Sequence, residues 1–411
     1  MINTDTAELR IFSVDVIVWG IGLNGSERSI MIYLDNSATT RVLDCAANAA
    51  LDCMRESYFN PASAYAPAAA MEKRIEGARA RLASLLGADR SEIIYTSGGT
   101  ESNNTAIFGV LRATRGKKRI ITSAVEHPSV YEVFRTFEHA EDTEVVYVGV
   151  DAHGYLRLDA LAEALTEDTA LVSLMQVNNE TGAINDLSAA QALIRKRAPH
   201  AVFHVDGVQG FCKLPFQKLS CDLYSVSGHK VHAPKGIGAL YVKNSVRFAG
   251  GLIGGGQEQN RRSGTTNTPA IMGLDAALAA YQQNGDAWRE HMYACKERLC
   301  RNLSGIPDVF VNGPEPRNGA PHILNLSFLG VRGEVLLHAL AQQEIYVSTG
   351  SACAAHKRGK NRVLGAMGVV GARQDGAIRF SLCPFNTLEE MDIAAEALAK
   401  QVTFLRRYQR R

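Results

Sequence analysis

Ala201-Val-Phe-His-Val-Asp-Gly-Val-Gln209 and, a short stretch later, Cys221-Asp-Leu-Tyr-Ser-Val-Ser-Gly-His-Lys230 decide the fold. Each is an apolar, β-branched run that stops in a polar turn, the pattern of a strand buried on both faces of a parallel sheet. The first run delivers a carboxylate, Asp206, at its end; the second delivers Lys230. Functional groups gather outside the carboxyl ends of such strands. A lysine for Schiff-base chemistry and a carboxylate to keep a pyridinium nitrogen protonated are the pair that pyridoxal 5'-phosphate requires. The two stretches together predict a pyridoxal-phosphate enzyme.

Working outward, similar runs recur at Ile93–Tyr95, Arg119–Thr122, Glu144–Val148, Ala170–Met175 and Gly238–Val242, with amphipathic stretches such as Ser188–Arg197 between several of them. That alternation predicts an α/β fold with a mainly parallel sheet and crossover helices. Length points to more than one core. The expected division is a large domain over 45–290 and a smaller α/β domain made of 31–44 plus 291–411. His127, Asn179, Asp206 and Lys230 all fall shortly after strand runs, so the candidate chemistry converges on one edge of the sheet.

The composition belongs to a globular enzyme: 46% hydrophobic, 21% charged, with 36 glycines in 411 residues. A net charge of +2 gives no ground for a nucleic-acid or membrane surface. The eight cysteines are scattered, without the paired spacing of a zinc site, and fit a reducing cytoplasm; no metal is expected. Val14–Gly25 matches a strand followed by G-x-G-x-x-G, but its glycines run into the strand-like Met31–Asp35 and leave no room for the helix a dinucleotide site needs. Residues 1–30 are therefore expected to be an upstream extension, loosely attached or disordered. The basic end, Arg406 to Arg411, reads as a solvated helix terminus.

Thr96-Ser-Gly-Gly-Thr-Glu101 sits between a strand and the helical Ser102–Val110, where free N–H groups at a helix start suit a phosphate. His127, before Pro128, is a candidate ring-stacking residue and proton carrier; Asn179 is a candidate hydrogen-bond donor to the cofactor or a turn residue. Arg379 lies in the apolar run Ala377–Ser381, where a guanidinium needs either a substrate carboxylate or a structural acid. Cys353 lies in Ser348-Thr-Gly-Ser-Ala-Cys353, and the cationic His356, Lys357, Arg358 and Lys360 that follow favour its thiolate. Its flanks read as a mobile loop that carries the sulfur to and from a site.

These stretches, with Tyr33–Thr40, Phe59–Ser63, Val177–Gly182 and Gly254–Thr265, span the chain in an order that closely resembles the cysteine desulfurases of the fold-type I, class-V aminotransferase group. The resemblance implies that Lys230 is the Schiff-base lysine and proton shuttle, that Asp206 pairs the pyridinium nitrogen, and that Gln209 and Asn179 bond the phenolic oxygen region. It implies that His127 stacks on the ring and that Gly99, Thr100, Ser227 and His229 hold the phosphate, with Thr265 supplied by the neighbouring subunit of a homodimer. Arg379 with Asn179 would hold the carboxylate of L-cysteine, and Cys353 would take its sulfur as a persulfide for an acceptor or scaffold protein. Gly99 stands where the family usually has Ala, and Gly207-Val208 replaces a small-Thr pair. His356-Lys-Arg-Gly-Lys-Asn361 replaces the Leu-Glu-Pro-Ser type of the iron–sulfur branch, leaving the acceptor open between iron–sulfur, tRNA and thiamine pathways. Selenocysteine lyase, an aminotransferase or lyase of the same fold, and a non-catalytic scaffold are the competing readings; the Cys353 loop argues against the second, and intact Lys230 and Cys353 argue against the third.

Overall fold

The computed structural model describes residues 31–116, 118–350 and 361–408. The expected extension at 1–30, Cys353 and its cationic neighbours 356–360 lie outside the described residues.

The strands, in chain order, are β1 (Ile32–Tyr33), β2 (Ile93–Thr96), β3 (Lys118–Ser123), β4 (Thr143–Val148), β5 (Thr169–Met175) and β6 (Val202–Asp206). They continue with β7 (Leu223–Ser227), β8 (Gly238–Val242), β9 (Val309–Val311), β10 (Ile323–Phe328), β11 (Ile345–Tyr346) and β12 (Ala377–Ser381). The main sheet has seven strands in the order β2-β8-β7-β6-β5-β3-β4. Neighbours from β7 through β4 are parallel, and only β8 runs against its two partners. The expected α/β sheet is the one found.

Period-two alternation is what holds this sheet between two helical layers. Ile93, Tyr95, Ile121, Val172, Leu174, Phe203, Tyr224 and Val226 face one apolar core. Their chain neighbours Ile94, Ile120, Leu171, Leu223 and Leu240 face another. With both faces covered, each strand is apolar throughout, which is why it was legible. A separate core joins β1, β10 and β12 to Leu299, Leu336, Leu340 and Leu398. It is built on the antiparallel sheet β12-β10-β9 and the parallel pair β1-β11.

One helix, Thr268–Leu303, serves both cores: Ile271, Leu274 and Leu278 pack into the larger, Cys295 and Leu299 into the smaller. At 36 residues it runs about 54 Å. We propose that the two cores correspond to the larger and smaller domains, with the boundary near residue 290 lying inside this continuous helix instead of in a linker. Among the described residues no helix is long and apolar enough to cross a membrane.

Candidate active site

The carboxyl ends of β5, β6 and β7, three neighbours in the sheet, open on a cavity of about 280 Å³. Asp206, Lys230, His127, Asn179, Gln209, Ser227, His229, Gly99, Thr100 and Arg379 all line it. The geometry therefore brings together every sequence-derived site residue among the described ones except Thr265, which is exposed and does not line this cavity.

Asp206 is the last residue of β6 and is buried. Its Oδ2 accepts from Asn103 Nδ2 at 2.8 Å and its Oδ1 from the Val208 N–H at 3.0 Å, so the carboxylate cannot turn. Lys230 stands on a short 3-10 turn after β7. Its Nζ donates to the Ser37 carbonyl and, at 2.8 Å, to that of Ala38. Both acceptors belong to the segment after β1, whose Thr40 hydroxyl also donates to the His229 carbonyl at 3.0 Å. This segment joins the two parts of the molecule, because Asn36 N–H bonds the Ser381 carbonyl at the end of β12.

One corner of the cavity is made for an anion. The helix Gly99–Ala113 points its start into it, and the first-turn N–H groups of a helix lack intrahelical acceptors. Gly98, at φ +155° and ψ −175°, makes the entry through a conformation that side chains exclude. A Cβ added to Gly99 would lie 2.7 Å from Val208 Cγ2 and 3.8 Å from Ser227 Oγ, so that hydroxyl adjoins the helix start. Ser227 Oγ is buried with no hydrogen-bond partner among the described residues. A phosphate answers both the orphan hydroxyl and the free N–H groups. Opposite, His229 Nδ1 meets the Thr39 hydroxyl at 3.2 Å, and burial followed by the Lys230 charge lowers its pKa to about 4, so it is a neutral ring.

Arg379 is only 2% exposed. Of the two partners expected from the sequence, the structural acid is present: Nη2 pairs Asp35 Oδ1 at 2.8 Å, while Nη1 donates to the Asn179 carbonyl at 2.9 Å. Its Nε is buried without a partner among the described residues, which leaves a donor for a further acceptor. Gln209 is likewise half engaged, giving one N–H to the Ser37 carbonyl at 3.0 Å and receiving His322 Nε2 at 3.1 Å.

His127 lies four residues beyond β3 and caps the helix Pro128–Arg135. Burial holds its pKa below the ordinary imidazole value, with Asp206 opposing and Lys230, Arg362 and Arg379 reinforcing the shift. Beneath it, Glu126 is fully buried, accepting from the Ser123 hydroxyl at 2.5 Å and the Met175 N–H at 3.0 Å. Burial pushes its carboxyl up to about 8. Asn103, Ser129, Glu126 and His322 were not singled out from the sequence. Asn103 could have been, since it lies one helical turn after Gly99 on the same face.

The family model for class-V aminotransferases matches residues 32–393. The chain belongs to the class-V aminotransferase family. A cysteine desulfurase of Nostoc sp. (strain PCC 7120) is 40% identical over 379 residues, covering 92% of this chain and 94% of that one. The solved structure of a NifS-like protein, at 35% identity, superposes with a TM-score of 0.85 over 91% of this chain and all (100%) of that one. SspA in complex with cysteine, at 30% identity, gives 0.74 over 87% of this chain and 100% of that one.

Proposed function

We propose that this chain is a pyridoxal-phosphate-dependent cysteine desulfurase, taking sulfur from L-cysteine, releasing L-alanine and leaving a persulfide on Cys353. One observation carries the reading: Asp206 and Lys230 share a cavity with an orphan Ser227 hydroxyl set against a helix start. The residues present fit that cofactor. Asp206, fixed by Asn103 and the Val208 N–H, would face the ring nitrogen; the Gly99–Thr100 turn, Ser227 and His229 would hold the phosphate; His127 would cover the ring. Gln209 and Asn179 would address the phenolic oxygen. When bound, the cofactor supplies an electron sink for the charge that develops on the substrate carbons.

The rest is work for side chains. Arg379 Nε, with Asn179, binds the cysteine carboxylate and fixes which bond faces Lys230. Lys230 Nζ takes the proton from the α-carbon and returns it, a task suited to an amine held at one point by two carbonyls. Cys353 attacks the substrate sulfur as a thiolate: its S–S bond forms as the C–S bond breaks, and the carbon skeleton leaves as alanine. The C–S electron pair stays with the β-carbon, which takes up a proton to become the methyl group of alanine; the carbon is reduced as the sulfur is oxidised, so no outside oxidant is required. The persulfide then passes to an acceptor or scaffold protein for iron–sulfur cluster assembly or for tRNA or thiamine thiolation, in the cytoplasm. Thr265, exposed and outside its own cavity, fits a role in the neighbouring site of a homodimer.

Lys230→Ala should shift the visible absorbance of the cofactor-loaded protein by removing the covalent link to the lysine, and Cys353→Ser should keep the wild-type spectrum while losing the persulfide detected by thiol labelling. An unchanged Lys230→Ala spectrum, or persistent persulfide transfer by Cys353→Ser, would overturn the assignment.

A further inference from the structure

The buried side chains of Asp206, Asn103 and Ser129 form a line from the sheet to the half-buried His127 in the cavity wall. Asn103 Nδ2 donates to Asp206 Oδ2 at 2.8 Å and to Ser129 Oγ at 2.8 Å, so both of its amide hydrogens are engaged. Ser129 Oγ, already an acceptor there, lies 2.8 Å from His127 Nδ1 and has its own hydrogen to give. The Ser129 backbone N–H, which can only donate, points at the same nitrogen at 3.2 Å. It is one of the unpaired donors in the first turn of the helix Pro128–Arg135 that His127 caps. Two donors therefore meet at Nδ1, and the positive end of a helix stands behind them. A proton on Nδ1 would face both. Nε2, with no hydrogen bond to any described residue, is the nitrogen left to carry the hydrogen.

We propose that Ser129, backed by Asn103, is a positioning residue that locks His127 as its neutral Nε2–H tautomer, so that the ring offers the cavity a hydrogen-bond donor and not a base. Around the ring stand Asp206 from β6, Lys230 from the turn after β7, Arg379 from β12, Arg362 and, next in the chain, Glu126. Three of these are cations that disfavour a second proton, and the Asp206 carboxylate is turned to Asn103 and Val208. Proton movement in the proposed reaction then falls to Lys230, and His127 acts by stacking and donation. This consequence rests on the desulfurase reading; the tautomer does not.

The test is nitrogen NMR of the cofactor-loaded protein with ring-15N histidine, the His127 signals being assigned by their loss in His127→Gln. The expected wild-type result is a bare Nδ1 and a protonated Nε2 at about pH 8. Ser129→Ala should give mixed tautomers and raise the His127 pKa by about one unit, for the loss of one hydrogen bond to the neutral ring. Ser129→Thr, which keeps the hydroxyl, should restore the wild-type pattern. A protonated Nδ1 in the wild type overturns the proposal, and so does a Ser129→Ala ring indistinguishable from wild type. A protein inactive on L-cysteine but with Nδ1 bare would sink the desulfurase reading and leave the tautomer lock standing.

Discussion

Gly99 shows how closely single side chains are matched around the cavity. Its missing Cβ is replaced by Val208 Cγ2, which would lie 2.7 Å from an added methyl. Gly99→Ala should therefore cost about 1–3 kcal/mol in stability of the loaded protein through overpacking. Adding Val208→Ala should recover most of that, a coupling that a double-mutant cycle in urea measures. Additive effects would show that the two positions do not share the space. Glu126 allows a test by pH. Its folded carboxyl titrates near 8, above the 4.5 of a free glutamate. The group thus favours the folded chain in full below the unfolded value, and that contribution is lost as pH rises through the folded one. Glu126→Gln, which keeps the bonds to Ser123 and Met175, should flatten the loss of stability between about pH 5 and 8 by on the order of 1–3 kcal/mol. An unchanged slope would mean that Glu126 is not the titrating group. Lys230, Asp206 and the phosphate turn were legible because each sits at the end of a strong strand signal. Ser129, Asn103 and His322 were not, because their importance comes from partners far along the chain, such as Asn103 with Asp206.

At the level of elements, the strands of the main sheet were readable nearly to the residue, whereas β9, β10 and β11 were not: the expected Gly238–Val242 is β8 itself, and Ala170–Met175 lies within β5. Propensity and full burial agree there, so no tertiary context is needed to decide. The expected domain boundary at residue 290 falls inside the long helix Thr268–Leu303, whose apolar face changes partners along its length. The 250–265 segment is a different case, positioned by charge. Arg79 grips Glu258 through two bonds of 2.7 and 3.0 Å, and Glu258 also accepts the Tyr95 N–H at 2.9 Å, joining this segment to the edge strand β2. Arg262 holds Glu101 in the first turn of the Gly99–Ala113 helix at 2.7 Å. Both partners of the Arg79 pair are nearly buried, at 9% and 8% side-chain exposure. Glu258→Gln removes the buried carboxylate from the Arg79 guanidinium, leaving it only the half-exposed Glu76 at 2.9 Å, and should destabilise the chain by about 2 kcal/mol, read as a lower melting temperature. A shift within error would place the anchoring of this segment elsewhere.

Across the whole molecule, the site exists because two cores are tied at one seam. The Ser37–Ala38 carbonyls hold Lys230 of the large sheet, while Ser381 and Asp35 bind the same segment to β12 and Arg379. The relation between these cores could be read in outline from chain order, but the seam could not, since Ser37 and Lys230 are far apart in sequence. In the proposed reaction Arg379 and Lys230 would act from opposite sides of the seam and would have to stay in register for chemistry to occur. The most direct test of this assembly is the product yield from L-cysteine of the full chain loaded with pyridoxal phosphate, with a thiol reductant, beside Cys353→Ala. Alanine and sulfide in equal amounts from the wild type, both lost in Cys353→Ala, is the expected result. Absence of alanine from the loaded wild type, or undiminished production by Cys353→Ala, would contradict the desulfurase assignment.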